Sequence, residues 1–198
     1  MIPSDTALTA DERSTLLGIA RKSLESYAAS GKRLPLDPAN FTDNLQSPRG
    51  AFVTLWHDLQ LRGCIGYTRA VGALVEAVRD NAINAGFRDP RFIPVTETEI
   101  PHLTIEISAM CPGEEPGSPF RRVENLEALE LGKDGLYLEA IDQRHGGLLL
   151  PQVPIEHHWD LNQFLDALCR KAGAPPRSWE NPNYRLYYFR AEVFKETA

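Results

Sequence analysis

One cysteine stands between two glycines in a segment that could carry thiol chemistry. Cys64 follows Arg62 and Gly63 and precedes Ile65 and Gly66. The glycines would let a substrate or a second backbone come close to the thiol, and a nearby guanidinium favours the nucleophilic thiolate. The competing interpretation is a buried packing residue, since free cysteine is among the most buried residue types. Arg62 and Cys64 share one face of a strand only if no bulge intervenes.

Three further polar residues are candidates for binding. Arg91, in the segment Asp-Pro-Arg-Phe-Ile-Pro, either overhangs a pocket and binds an anion or pairs with a nearby acid to clamp a loop. Glu106 lies on an alternating strand, and if it faces inward it needs a partner, for which Arg62 or Arg91 would serve. Gln152, between two prolines, could hydrogen-bond a neighbouring loop or a ligand.

Metal and cofactor motifs are absent from the sequence. The histidines show no HxH or HExxH spacing, and no CxxC pair occurs. A metal site assembled from His57, Cys64 and Glu106 is the less favoured alternative. Glycine-rich phosphate loops and nucleophile elbows are also missing. We therefore predict neither a metal nor a cofactor.

Composition restricts the class of protein. The 198 residues are 42% hydrophobic and 24% charged, which suits a globular domain, and the net charge of −6 disfavours a general nucleic-acid binder. Three widely spaced cysteines fit a reducing compartment better than a disulfide framework. Residues 1–10 lack the basic start and apolar run of a signal peptide, and no segment is long enough to span a bilayer. We predict a cytoplasmic protein.

The elements that must position these residues follow from hydrophobic periodicity. A helix begins at a Thr9/Glu12 capping box and ends near Gly31, and residues 33–50 form an extended loop. The two glycines flanking Cys64 indicate a bulge or a close backbone approach within their strand. The other predicted elements are strands 51–56 and 61–67 with a turn at 57–60, helix 72–85, strand 103–110, short helix 125–131, a hairpin of 136–141 and 148–150, a helix from Asp160 to Gly173 and a strand near 184–193.

These elements predict one α+β domain over residues 1–198. The connections are hairpins as often as crossovers, which favours a mostly antiparallel sheet with helices packed on one face. The sequence shows no linker, and a division into two sub-lobes stays open.

Taken in order, the segments resemble the AMMECR-type domain family over nearly the whole chain. The six residues Leu61–Gly66 look like the family's hallmark motif. The resemblance continues through 89–92, 105–108, 132–135, 149–153, Trp159, Phe164, Leu165, Leu168, Cys169 and 171–173.

The resemblance implies a main sheet, a smaller second lobe and a groove between them. It carries Arg62, Gly63, Cys64 and Gly66 over as site residues, with Arg91, Glu106 and Gln152 as weaker ones. It also implies two companions in prokaryotes, a Memo-like protein and a radical S-adenosylmethionine enzyme.

Two functions stay open at this point. The chain is an enzyme, or an enzyme component, that uses Cys64 with Arg62 to activate a small anionic substrate; alternatively it is a scaffold that presents the groove to a protein partner. RNA binding is the least favoured, because the chain is acidic and lacks interleaved aromatic and basic residues.

Overall fold

A computed structural model describes residues 7–142 and 144–197. The chain divides into two compact units. The first contains the residues up to Pro112, the segment Pro116–Pro119 and the residues from Ala191 onward, and the second contains Gly113–Glu115 and Phe120–Arg190. The architecture is α+β with antiparallel strand pairing, as the sequence predicts.

Three helices belong to the first unit. Helix α1 (Ala10–Ser30) has the predicted capping box of Thr9 and Glu12 and ends at Gly31, whose φ of 67° is left-handed. Helix α2 (Asp43–Gln46) lies in the segment predicted to be an extended loop, where the hydroxyl of Thr42 caps its first turn. Helix α3 (Leu74–Phe87) begins and ends two residues later than the pattern predicts.

The first unit also holds a four-stranded sheet in the order β2-β1-β3-β8. Helices α1 and α3 pack on one face of this sheet, which we call its helix face. The buried cluster there includes Leu16, Leu24, Val53, Ile105 and Ile107, each fully buried. The strands are β1 (Ala51–His57), β2 (Gln60–Tyr67), β3 (Leu103–Met110) and β8 (Ala191–Lys195).

The hairpin of β1 and β2 is tighter than predicted. Its turn consists of Asp58 and Leu59, with φ values of 48° and 65°, instead of the four residues 57–60. The register shifts at Leu55/Trp56: Leu61 faces Trp56, and Gly63 faces Leu55. Arg62 is therefore the extra residue of a β-bulge, which confirms the irregularity that the glycines indicate.

The second unit pairs its own sheet with one long helix. The sheet has the order β4-β7-β5-β6, and α5 (Leu161–Ala172) packs on it through Phe164, Leu165 and Leu168. Asp160 and Gln163 form a second capping box, and Gly173 ends the helix as predicted. The strands are β4 (Arg121–Arg122), β5 (Gly135–Ala140), β6 (Gly146–Leu149) and β7 (Tyr184–Phe189).

Two predicted elements of the second half need correction, and one helix there was not predicted. The single strand near 184–193 is two strands, β7 and β8, that belong to different sheets and meet at Arg190, whose side chain pairs with Asp134. The predicted helix 125–131 is one 3₁₀ turn at Leu126–Ala128. Residues Val153–Glu156 form helix α4, because a proline is tolerated in the first turn of a helix.

Candidate functional site

Cys64 points away from the helix face of the first sheet. Its neighbour Gly63 faces α3, so alternation along β2 directs the Cys64 side chain to the opposite side, which we call the open face. The bulge at Arg62 interrupts this alternation, so strand alternation no longer places Arg62 and Cys64 on one face. By register, the open face carries Leu61, Cys64 and Gly66 of β2, Phe52, Thr54 and Trp56 of β1, Thr104, Glu106 and Ser108 of β3, and Val193 and Lys195 of β8.

Cys64 is a partly exposed residue whose sulfur accepts a hydrogen bond. Thr54 Oγ1 donates to Cys64 Sγ at 3.2 Å across the β1–β2 pair. Cys111 and Cys169, in contrast, are buried, with 4% and 1% of their surface exposed. Cys64 is therefore the least buried of the three cysteines.

The segment after α3 clamps the backbone of Cys64. The Cys64 N–H donates to Asp89 Oδ2 at 2.9 Å, and Arg91 Nη2 donates to the carbonyl oxygen of Cys64 at 3.1 Å. Arg91 also binds both carboxylate oxygens of Asp89 side-on, with Nε to Oδ1 at 2.9 Å and Nη2 to Oδ2 at 2.7 Å. The clamp thus occupies the backbone groups that the edge strand β2 would otherwise leave unpaired at Cys64.

Asp89 is a buried anion with an unusually complete set of donors. Its side chain is 1% exposed. The hydrogen bond from Arg91 is the main cause that holds the pKa of Asp89 well below its usual range; burial opposes it, and the backbone N–H groups of Cys64 and Arg91 add to it. The carboxylate therefore stays ionised and keeps the clamp closed at neutral pH.

The side chain of Arg62 binds the carboxylate of Glu99. Its Nη2 donates to Glu99 Oε2 at 3.1 Å, and Nε binds the other oxygen of the same carboxylate. Burial raises the pKa of Glu99, but the hydrogen bond and charge of Arg62 outweigh it, so that the net shift is downward. The cation whose charge interacts with Cys64 is Arg91. Both interpretations of Arg91 thus keep support: it pairs with an acid, and it lies beside the thiol.

The spaces beside the two glycines are filled by the chain itself. A Cβ at Gly63 would lie 2.2 Å from the carbonyl oxygen of Ala85 in α3, and one at Gly66 would lie 2.4 Å from Cγ of Phe52. Gly63 therefore lets a helix backbone approach the sheet, and Gly66 lets an aromatic ring lie against β2 beside Cys64. A role of either residue in ligand binding stays a prediction.

Glu106 occupies the open face two strands away from Cys64. It faces Thr54 in the β1–β3 register, as Cys64 does in the β1–β2 register. Burial raises the pKa of Glu106, while the charge of Lys195 and a hydrogen bond from Trp56 act in the opposite direction. The partners are thus Trp56 and Lys195, whereas the sequence suggests Arg62 or Arg91.

Gln152 lies in the second unit at the start of α4. Its side chain is exposed and makes no capping hydrogen bond, while its carbonyl oxygen accepts the N–H groups of Ile155 and Glu156, both at 3.0 Å. A ligand contact of Gln152 stays a prediction.

His57 pairs with its neighbour Asp58 at 3.4 Å. Within residues 7–142 and 144–197, no group of three or more His, Cys, Asp and Glu side chains could hold a metal ion, so His57, Cys64 and Glu106 do not assemble one. Over the same residues, none of the helices has the length and apolar character to cross a membrane.

Two predictions are not tested by these findings: the cytoplasmic location and the groove between the two lobes.

Two site residues escaped the sequence analysis. Thr54 was identified only as part of a strand, although pairing β1 with β2 around a short turn would have placed it near Cys64. Asp89 was named only as the first residue of the segment Asp-Pro-Arg-Phe-Ile-Pro. Because it lies 25 residues from Cys64 in the chain, no local sequence pattern indicates their hydrogen bond.

The site and fold define a class: a two-unit antiparallel α+β protein with a clamped, partly exposed cysteine on the edge strand of its first sheet. The family model described as AMMECR1 matches residues 17–194. The chain belongs to the AMMECR1 family, as the resemblance of its motifs predicted.

Relatives and a solved structure agree with this assignment. The chain is 39% identical over 191 residues to Protein MJ0810 of Methanocaldococcus jannaschii, with 96% of this chain and 92% of the relative covered. It is 40% identical over 194 residues to Protein MK0488 of Methanopyrus kandleri, with 96% and 90% covered. The crystal structure of the uncharacterized protein PH0010 from Pyrococcus horikoshii matches with a TM-score of 0.74 at 36% identity, with 92% and 90% of the chains covered.

Proposed function

We propose that this AMMECR1-family chain is an enzyme, or a component of an enzyme, whose reactive group is the thiol of Cys64. The observation that carries the proposal is the double restraint on this one residue. Asp89 and Arg91 hold both backbone groups of Cys64, and Thr54 donates to its sulfur. The backbone contacts would serve any residue of an edge strand, but together with the hydrogen bond to the sulfur they hold the thiol in one orientation, as a nucleophile requires.

The open face also offers a group that can exchange a proton. Glu106 faces Thr54 on the side opposite to Cys64, and its raised pKa keeps a larger fraction of the carboxyl protonated near neutral pH than an exposed glutamate would have. The backbones of Cys64 and Glu106 are two strand spacings of ~4.8 Å apart, which is about 10 Å.

The test is genetic and chemical together. A strain that lacks the chain is compared with the wild type by small-molecule profiling, and Cys64→Ser and Cys111→Ser are each introduced on a plasmid. We expect Cys64→Ser to fail to restore the profile although its melting temperature stays close to the wild type, and Cys111→Ser to restore it. Full restoration by Cys64→Ser would contradict the proposal.

A second function is favoured by apolar residues that lie exposed on the first unit. Leu59 is 93% exposed at the hairpin tip, and Ile93, next to the clamp, is 79% exposed. Single exposed apolar residues are ordinary on a protein surface, and these two support a binding surface only if one partner covers both. Under this alternative the chain is a scaffold for the Memo-like protein or the radical enzyme that the resemblance implies.

The scaffold is tested by co-purification with those two companions. Leu59→Ser with Ile93→Ser should abolish co-purification, and Cys64→Ser should leave it unchanged. Charge reversal at Arg62 is an unsuitable probe, because it would place two carboxylates together at Glu99. Retention of both companions by the double variant would count against the scaffold.

A further inference from the structure

Arg91 is a cation fixed at the backbone of Cys64. The carboxylate of Asp89 holds its Nε and Nη2, and the carbonyl oxygen of Cys64 accepts a second bond from Nη2. The ring of Phe92 lies 5.4 Å from the guanidinium carbon. A guanidinium held on these sides has lost most of its rotamer freedom before any ligand arrives.

One nitrogen of this guanidinium is left for a ligand. Within the described part of the chain, Nη1 of Arg91 makes no hydrogen bond, and the side chain is 54% exposed. Two other cations of the first unit already have acidic partners, since Arg62 binds Glu99 and Lys195 interacts with Glu106.

We propose that Arg91 is the specificity-determining residue of the Cys64 site and that it selects a small carboxylate. This inference rests on the proposed function. The carboxylate binds Nη1, and this contact places the carbon next to the carboxylate beside Cys64 Sγ. The substrate is short, because Arg91 contacts the backbone carbonyl of Cys64 itself, at 3.1 Å. Phosphates bind arginine by the same chemistry, and competition between propionate and methyl phosphonate separates the two classes.

Two alkylating reagents that differ only in charge test this selection. Iodoacetate carries a carboxylate beside its reactive carbon, and iodoacetamide carries a neutral amide. With either reagent the thiolate forms a sulfur–carbon bond, the carbon–iodine bond breaks and iodide leaves, while the thiol proton passes to the buffer. Because both reactions need the same thiolate, the ratio of their rates does not depend on how much thiolate is present.

The ratio is measured at Cys64 by mass spectrometry in the native and the urea-unfolded chain. We expect the iodoacetate-to-iodoacetamide ratio to be about threefold higher in the native chain, the size of an exposed ion pair. The double variant Asp89→Asn/Arg91→Gln removes both charges without leaving a buried one unpaired, and it should return the ratio to the unfolded value. Arg88→Gln removes an exposed arginine that binds Asn84 and Tyr27, and it should keep the wild-type ratio.

Salt gives a readout that needs no variant. The native ratio should fall toward the unfolded one as sodium chloride increases from about 0.05 to about 0.5 M, because screening weakens exposed ion pairs. Propionate should protect Cys64 from iodoacetamide more than propionamide or methyl phosphonate does.

The failure of this inference differs from a failure of the proposed function. A Cys64 that resists both reagents until the chain unfolds overturns both. A Cys64 that reacts in the native chain with no preference for iodoacetate, at any salt, overturns the carboxylate selection and leaves the thiol role standing. Stronger protection by methyl phosphonate overturns the carboxylate in favour of a phosphate group.

Discussion

The hydroxyl of Thr54 donates a hydrogen bond to the sulfur of Cys64 at 3.2 Å, between two residues that face each other in the β1–β2 pair. Thr54 is 8% exposed, so water competes little for its hydroxyl group. A hydroxyl donor binds a negative sulfur more strongly than a neutral one. This contact therefore links the strand register to the reactivity of the thiol.

The replacement Thr54→Val tests the contact. Valine keeps the shape of threonine and removes the donor, so that we expect native alkylation of Cys64 by iodoacetamide to slow by about three- to tenfold, the worth of one hydrogen bond. Thr104→Val, on the same open face, is the matched control and should leave the rate unchanged. A Thr54→Val chain that reacts as fast as the wild type would show that the hydroxyl is irrelevant to the thiol.

The three cysteines should react in a fixed order. Cys64 is partly exposed, whereas Cys111 and Cys169 are buried, and burial raises the pKa of Cys169. We expect iodoacetamide to modify Cys64 in the native chain and to reach the other two only when urea unfolds it. Mass spectrometry of the peptides, before and after unfolding, measures this. Native labelling of Cys169 ahead of Cys64 would contradict the burial pattern.

Local signals in the sequence were sufficient for parts of this site and not for others. The alternation of β3 and the glycines beside Cys64 predicted the strands and the irregularity, because both depend on neighbouring residues. The two-residue turn was missed because Leu59 adopts a left-handed conformation that normally favours glycine or asparagine. The clamp by Asp89 and the split strand at Arg190 were missed because each depends on contacts with residues distant in the chain.

Gly63 is required by the packing of α3. A Cβ there would lie 2.2 Å from the carbonyl oxygen of Ala85, which is a backbone atom that cannot move alone. We expect Gly63→Ala to lower the free energy of unfolding by about 2 kcal/mol or more, as overpacking does. Gly18→Ala in α1 is the control: a Cβ at Gly18 meets nothing within 4 Å, and alanine should raise the same quantity by about 0.5–1 kcal/mol. Urea unfolding measures both, and equal effects would argue against the close approach.

The clamp predicts an asymmetry between its two residues. Asp89 is buried and Arg91 is half-exposed, so the removal of Arg91 strands a buried charge, whereas the removal of Asp89 frees an arginine into water. We expect the free energy of unfolding of Arg91→Gln to be lower than that of Asp89→Asn/Arg91→Gln by about 1–2 kcal/mol. In the single variant the buried carboxylate of Asp89 remains and has lost its charged donor. A double-mutant cycle in urea measures the coupling, and additive effects would mean that the two side chains do not depend on each other.

Glu106 should make the stability of the chain depend on pH above the range of ordinary carboxylates. Burial raises the pKa of Glu106 in the folded chain, so the folded state still holds the proton where the unfolded state, near pH 4.3, has already released it. As the pH rises from about 4 through the folded pKa, ionisation of Glu106 thus lowers the free energy of unfolding. Glu106→Gln has no such loss and keeps an acceptor for Trp56.

The stability of Glu106→Gln relative to the wild type should therefore increase between pH 4 and the folded pKa and become constant above it. Urea unfolding at pH steps from about 4 to about 8 measures the difference, with Glu97→Gln, an exposed carboxylate, as the control. Because Lys195 opposes the shift, Lys195→Met should raise the folded pKa further and extend the rise to higher pH. A difference that is the same at every pH would mean that Glu106 is ionised as readily in the folded chain as in the unfolded one, and would remove its raised pKa as a basis for proton exchange with a substrate at Cys64.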